Sequence, residues 1–462
     1  MLFRNIGLID ENFCYRENMF VGTIGDRIVY IGTEEPDEEV LAQLDKDYGD
    51  EIRASISTCS CHAPASPNPY FVENYDGKGK VLMPAFYNAH GHSPMCLMRG
   101  YGGGLPLDRW LNEKIFPFEA KLYSDAVYWS TLMTMAESMR FGIVSTSDMY
   151  YFIDDMVKAV SVAGMKTNIS RAVAGMDCTD PKACLGYREM REAIEMYDGF
   201  LNGRIQVEAS AHAEYTNNET MLRAVADAAR GYGVRMHVHA CETRRETDGC
   251  IAKYGKTPIE LFADLGLFDV PANAAHCVWL TDNDRDILAE KGVSVSSNPM
   301  SNLKLASGIC DAPALLSGGI NVAIGTDSVS SNNSLNFFEE MKAFALACSI
   351  VKMDASAISP ENVLYCATRG GALAQGREDA GLVKVGFKAD LIVVDVDVPN
   401  MKPVHSMTDN LVYSADGKDV VMTMCDGDVL YRDGEYKKFD IEKTMAEAEA
   451  ATARILSMLQ NH

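Results

Sequence analysis

Two histidines flank one glycine in Asn88-Ala89-His90-Gly91-His92, in a chain with only nine histidines among 462 residues. Residues i and i+2 of an extended segment face one side, so both imidazoles can chelate a single cation. Taken alone, the same pattern also suits a polar turn. More candidates follow: His212 in EASAH, His237 and His239 in VRMHVHACE with Glu242 just beyond, His276 in AAHCVW, and Asp327 in AIGTDS. Nitrogens from His90, His92 and His239 plus an Asp327 oxygen leave room for a water, the donor set of an open catalytic Zn2+ or Fe2+ site. His237 and His239 share a face. His239 is the expected ligand because it lies nearer the C-terminal end of its run and three residues before Glu242. His237 is then left as a packed or supporting group. Glu242, in the loop that follows, can overhang the water and exchange protons with a substrate.

The elements that would position these groups recur regularly. Eight short apolar or β-branched runs lie at 80–87, 142–150, 166–173, 204–212, 234–240, 273–280, 293–299 and 321–328, separated by helix candidates such as DAVYWSTLMTMAESMRF and NETMLRAVADAARGYG. In the first of these helices Val127, Leu132, Met135 and Met139 repeat nearer a period of 3.6 than of 2. Eight such units fit a (β/α)8 barrel over residues 80–385 better than an open doubly wound sheet. The C-terminal strand ends of a barrel share one mouth, where runs one, four, five, six and eight would bring His90 with His92, His212, His239, His276 and Asp327. Residues 1–79 and 386–438 alternate short strands and turns and are expected to join in one small β-sandwich domain. An acidic, Pro-rich insert at 34–70 contains a candidate surface helix, and 439–462 reads as an amphipathic helix.

Composition narrows the partners. Forty-two Lys plus Arg against 65 Asp plus Glu give a formal charge of −23, which repels phosphate backbones and anionic lipid, so neither nucleic acid nor membrane is expected. No apolar run reaches membrane-spanning length, and the start MLFRNIGLIDENF is acidic where a secretory signal needs an apolar core, so a cytoplasmic location is expected. The 13 cysteines lack disulfide or zinc-ribbon spacing and read as thiols. Cys59, Cys61 and His62 cluster without a second half, in a Pro- and Ser-rich stretch. RGYGGGLP lacks phosphate-loop spacing, HAE has no PCxxC after it, and HExxH does not occur.

MPAFYNAHGHSPMCLMRG, HACETRRE, the run AAHCVWLTDNDRDILAEKGVSVSSNPMSNLKLASG, and VAIGTDSVSSNNSLNFFEEM together resemble the mononuclear amidohydrolase superfamily. The resemblance is to its branch of 5′-methylthioadenosine/S-adenosylhomocysteine deaminases and triazine-type chlorohydrolases. It implies one divalent ion, zinc with iron(II) as the alternative, held by His90, His92, His239 and Asp327. It also implies Glu242 as proton shuttle, His276 as the group that polarises the attacked centre, and Asp327 as acceptor of a proton from the water. Trp110 and Glu119 in DRWLNEKIFPFE, Arg171 in SRAVAGMD and His212 match substrate-contacting positions of the deaminases. The implied reaction is hydrolytic deamination of an aminated purine nucleoside of the adenosine, methylthioadenosine or S-adenosylhomocysteine type. Deamination of guanine or another heterocycle, or triazine-type chlorohydrolysis at the same metal, is the alternative. A homo-oligomer, dimer or tetramer, is expected. Three positions depart from the pattern: Ser297 stands where the family usually has histidine, Gly102-Gly103-Gly104 replaces acidic residues, and Ala85 follows Pro84 where glycine is usual.

Overall fold

The computed structural model describes residues 1–58, 71 and 73–460. Eight parallel strands pair in chain order: Phe86–Gly91, Ile143–Met149, Lys166–Ser170, Ile205–Ala211, Met236–Ala240, Ala272–His276, Ser294–Ser297 and Val322–Ile324. The two edges meet at a parallel bridge between Gly91 and Asp327, where the Asp327 N–H donates to the His90 carbonyl at 3.0 Å. This is the expected (β/α)8 barrel. Its strands are buried on both faces, since helices cover the outside, and so they read as short runs without alternation. Polar side chains in the barrel interior satisfy one another: Asn273 donates to the Ala89 carbonyl at 2.8 Å, Ser296 to Asn273 Oδ1 at 2.7 Å, and Gln375 to the Asn88 carbonyl at 3.0 Å.

The helices follow their apolar stripes. Glu219–Tyr232 buries Met221, Leu222, Val225, Ala226 and Ala229; Asn218 caps its start by accepting from the Met221 N–H at 2.9 Å, and Gly233 ends it at φ +71°.

The run at 80–87, expected as the first barrel strand, is two strands. Lys80–Pro84 pairs antiparallel with Leu391–Asp395 and parallel with Leu2–Ile9 outside the barrel, whereas Phe86–Gly91 opens the barrel. The partner switch falls between neighbours, the Ala85 N–H donating to Asp390 and the Phe86 N–H to Gly142. Both pieces are apolar and buried, so periodicity alone merges them. One consequence is that His90 lies inside the first barrel strand, with His92 just past its end.

Both chain ends enter one mixed sheet of nine strands among the described residues, running from Glu435–Tyr436 at one edge through Lys80–Pro84 to Arg27–Gly32 at the other. It is pinned to the barrel by a buried charge cluster. The Lys166 ammonium, on the third barrel strand, pairs with Asp390 and, at 2.7 Å, with Asp426, and the Tyr87 hydroxyl also donates to Asp390. The acidic insert forms the helix Glu38–Thr58, bent at Tyr48 and anchored by Leu44 against Phe71 and Leu2. Cys59, Cys61 and His62 lie outside the described residues. The C-terminal helix Ile441–Gln460 buries Thr444, Ala448, Ala451 and Ile455 and packs on the helix Ser124–Arg140. No described helix is long and apolar enough to cross a membrane, and the 11 described cysteines are all thiols.

Candidate active site

The mouth of the barrel gathers the predicted groups. His90, His239 and His276 bring ligand atoms within 4.8 Å of one another, and so do His90, His92 and Asp327. His92 Nε2 is 3.2 Å and His90 Nε2 is 3.7 Å from Asp327 Oδ1. Strand ends of unusual conformation aim these side chains: Cys241, His276 and Asp327 all take positive φ, at +53°, +76° and +58°. Such backbone costs on the order of 1–3 kcal/mol for residues other than glycine and is concentrated at working sites.

Hydrogen bonds on the far side of each ring fix which nitrogen faces inward. His92 Nδ1 meets the Met149 carbonyl at 2.6 Å and His239 Nδ1 meets the His212 carbonyl at 2.7 Å. A carbonyl only accepts, so both Nδ1 atoms carry the proton and both Nε2 atoms keep their lone pairs. His90 Nδ1 contacts His237 Nε2 at 3.0 Å, and His237 Nδ1 in turn lies 3.4 Å from Glu208 Oε2. The remaining His90 nitrogen, Nε2, is buried without a hydrogen-bond partner. Asn302 Oδ1 holds His276 Nδ1 at 2.9 Å. A donor set of neutral imidazole lone pairs converging on a carboxylate fits a divalent cation.

Burial first, and neighbouring imidazoles second, push the His90 and His239 pKa values well below the ordinary histidine value, which keeps both rings neutral. Burial opposes ionisation of Asp327, but the neighbouring His92 and His276 imidazoles and the hydrogen bond from Ser301 hold its carboxyl well below the usual range. The Ser301 hydroxyl donates to Asp327 Oδ2 at 2.6 Å and the Ser331 hydroxyl at 3.1 Å. Glu242, buried beside them, has its carboxyl raised by burial and by Asp327. It accepts from Ser307 at 3.3 Å and lies 3.8 Å from His276 Nε2. A carboxyl raised toward neutrality and next to the cluster can carry a proton to and from a reacting group.

One cavity joins this cluster to three of the four predicted substrate contacts: Trp110, Glu119 and His212 line it with His92, Glu242, His276 and Asp327. The segment Leu107–Glu119, a helix interrupted by a π-turn at Leu111–Ile115, carries Trp110 and Glu119 to the rim. Burial raises the Glu119 carboxyl to about 7, and it lowers His212 to about 4. Arg171 is not in the lining. It pairs with Glu189 at 2.7 Å and stacks on Tyr151, whose ring borders the cavity, at 4.7 Å. Ser297 lines a separate small cavity with Cys310 and Cys348, while Gly103 and Gly104 border an outer chamber.

A family model described as the amidohydrolase family matches residues 81–430. The chain belongs to the amidohydrolase family. A 5-methylthioadenosine/S-adenosylhomocysteine deaminase of Dictyoglomus thermophilum is 41% identical over 377 residues, covering 81% of this chain and 87% of the relative. A 5′-deoxyadenosine deaminase of Methanosarcina mazei is 38% identical over 386 residues, covering 84% and 89%. Among solved structures, an adenosine deaminase from Xanthomonas campestris with bound zinc superposes with a TM-score of 0.85 at 29% identity, covering 99% of this chain and 98% of that one. Like other amidohydrolases, this one has a divalent-metal site, built of histidine and aspartate at the barrel mouth.

The supporting contacts were not singled out in the sequence: Asn302 on His276, Ser301 and Ser331 on Asp327, Ser307 on Glu242, and Tyr150, Tyr151 and Tyr215 in the cavity wall. The first two do stand inside SSNPMSNLK, a stretch polar enough to have drawn notice.

Proposed function

We propose that this amidohydrolase is a metal-dependent hydrolytic deaminase of an aminated purine nucleoside, replacing the ring C–NH2 with C=O and releasing ammonia. The observation that carries the reading is the meeting of His90, His92, His239, Asp327, Glu242 and His276 around one cavity that also reaches Trp110 and Glu119. His90, His92, His239 and Asp327 are assigned as ligands of one divalent ion, zinc in keeping with the Xanthomonas structure and iron(II) as the alternative. When bound, such an ion makes a water acidic enough to attack near neutral pH.

The chain's own groups do the rest. Glu242 delivers a proton to the ring nitrogen beside the attacked carbon, and Asp327, oriented by Ser301 and Ser331, accepts one from the attacking water. His276, held by Asn302, stabilises the charge that develops on the incoming oxygen. Glu119 accepts hydrogen bonds from the ribose hydroxyls, Trp110 covers the sugar, and His212 contacts the nucleoside from the fourth strand. Arg171 serves the rim of the same pocket through Tyr151. The reading includes a cytoplasmic enzyme, in keeping with thiol cysteines, that works as a homodimer or homotetramer.

An ammonia-release screen of adenosine, 5′-deoxyadenosine, methylthioadenosine, S-adenosylhomocysteine and guanine, with metal analysis of the same sample, tests this. Turnover of at least one adenine nucleoside is expected. Activity confined to guanine would reject the nucleoside reading.

A further inference from the structure

The stretch HACETRRE supplies His239 and Glu242, and its last residue, Glu246, has no part in that chemistry. Glu246 stands in the first turn of the helix Arg244–Tyr254, which follows the fifth barrel strand and is capped by Thr243. The two residues cap reciprocally: the Glu246 N–H donates to Thr243 Oγ1 at 3.1 Å, and the Thr243 N–H donates to Glu246 Oε2 at 3.2 Å. An ordinary cap of this kind ends there. Here the same carboxylate also accepts from two residues outside the helix, from the Cys241 N–H at 2.7 Å on Oε1 and from the Glu242 N–H at 2.8 Å on Oε2.

Three successive N–H groups converge because Cys241 takes φ +53°, which turns the chain left-handed for one residue and makes a small concave seat for an anion. The Cys241 carbonyl is used as well. It accepts from the Val278 and Trp279 N–H groups, both at 3.0 Å, in the loop that follows His276. One residue therefore ties the backbone of Glu242 to the backbone that carries His276, and Glu246 holds that residue in place. The Glu242 carboxyl accepts a long hydrogen bond from Ser307, at 3.3 Å, and lies 3.8 Å from His276 Nε2, so its aim depends on its backbone. Glu214, buried in the loop after the fourth strand, backs the seat. Burial first, and the Glu246 charge second, raise the Glu214 carboxyl, so that it carries a proton and hydrogen-bonds to Glu246.

We propose that Glu246 is a positioning residue for the deamination, a carboxylate clamp that sets where Glu242 points and, through the Cys241 carbonyl, where His276 stands. This rests on the deaminase reading, in which Glu242 moves the proton. Misplacing such a group by about 1 Å costs about 10²-fold in rate.

The test sets Glu246→Ala beside Thr243→Ala in the metal-loaded enzyme. Ammonia release is followed on whichever of adenosine, 5′-deoxyadenosine, methylthioadenosine and S-adenosylhomocysteine the wild type turns over fastest. Both substitutions break the helix cap, and both should lower the melting temperature. Thr243→Ala leaves the Cys241 and Glu242 N–H groups on Glu246, so its kcat should stay within about threefold of wild type. Glu246→Ala releases all three N–H groups, and its kcat should fall by about 10²-fold while KM and metal content stay close to wild type. Glu246→Gln keeps one of the two accepting oxygens and should recover part of that loss. Equal falls in kcat for Glu246→Ala and Thr243→Ala would reduce Glu246 to a helix cap and overturn the proposal, as would wild-type kcat in Glu246→Ala. If Glu246→Ala does not fold, Glu246→Gln decides: a lowered kcat at unchanged KM supports the clamp, and wild-type kcat overturns it. All of these results leave the deaminase reading intact. No ammonia from the wild type on any of the four nucleosides would overturn both.

Discussion

Replacing His237 with phenylalanine would test whether the first histidine of the fifth strand supports the metal site without joining it. His237 is fully buried, touches His90 through Nε2 at 3.0 Å, and faces Glu208 Oε2 at 3.4 Å. Phenylalanine fills the space but removes both polar contacts, so His90 Nδ1 loses the partner that orients its ring. Loss of such an outer contact weakens metal binding by about 10–100-fold, or about 1.4–2.8 kcal/mol. Glu208 keeps Asn168 at 2.9 Å and loses only a 3.4 Å approach of the imidazole, short of a hydrogen bond, so the separate cost to stability is about 1 kcal/mol or less. Metal affinity measured by competition with a chromogenic chelator, beside thermal unfolding of the metal-free protein, separates the two effects. His237→Gln, which restores a polar group facing His90, should recover most of the affinity. Metal affinity of His237→Phe within twofold of wild type would refute the supporting role.

Glu119 offers a pH test. Burial raises its carboxyl from 4.5 to about 7, so the fold favours the protonated form. Its stabilising effect is complete below the ordinary value and is lost as pH rises through about 7, whereas the ionised form is the better acceptor for ribose hydroxyls. Nucleoside KM should therefore fall as pH rises through about 7, and Glu119→Gln should flatten that dependence; an unchanged pH profile in the variant would count against the ribose contact. At the junction of barrel and outer sheet, Lys166→Met leaves Asp390 and Asp426 without their shared cation, and denaturant unfolding should show a loss of about 3–5 kcal/mol.

The barrel was legible because its strand ends carry unusual chemistry. Short buried runs alternating with helix-length stretches gave the architecture, and His90, His92, His212, His239, His276 and Asp327 at the ends of those runs pointed to one mouth, where the structure brings them together. The first run hid a change of sheet at Pro84-Ala85, because two buried strands in succession have no period to separate them. The contacts that fix the imidazole tautomers were illegible for another reason: the Met149 and His212 carbonyls are backbone atoms, and any residue could supply them. Arg171 was placed at a strand end, but its pairing with Glu189, 18 residues on, depends on how the next helix returns across the barrel. The outer chamber draws on loops after seven of the eight barrel strands, and no local spacing announces it.

The central claim is that Glu242 moves the proton in a hydrolysis supported by a metal site it does not help to build. Glu242→Gln keeps the shape of the buried side chain and removes its acidity. Metal content and ammonia release measured on one preparation decide the matter. The account predicts wild-type metal content with kcat reduced by about 10²–10⁴-fold. Full metal together with wild-type turnover would contradict it.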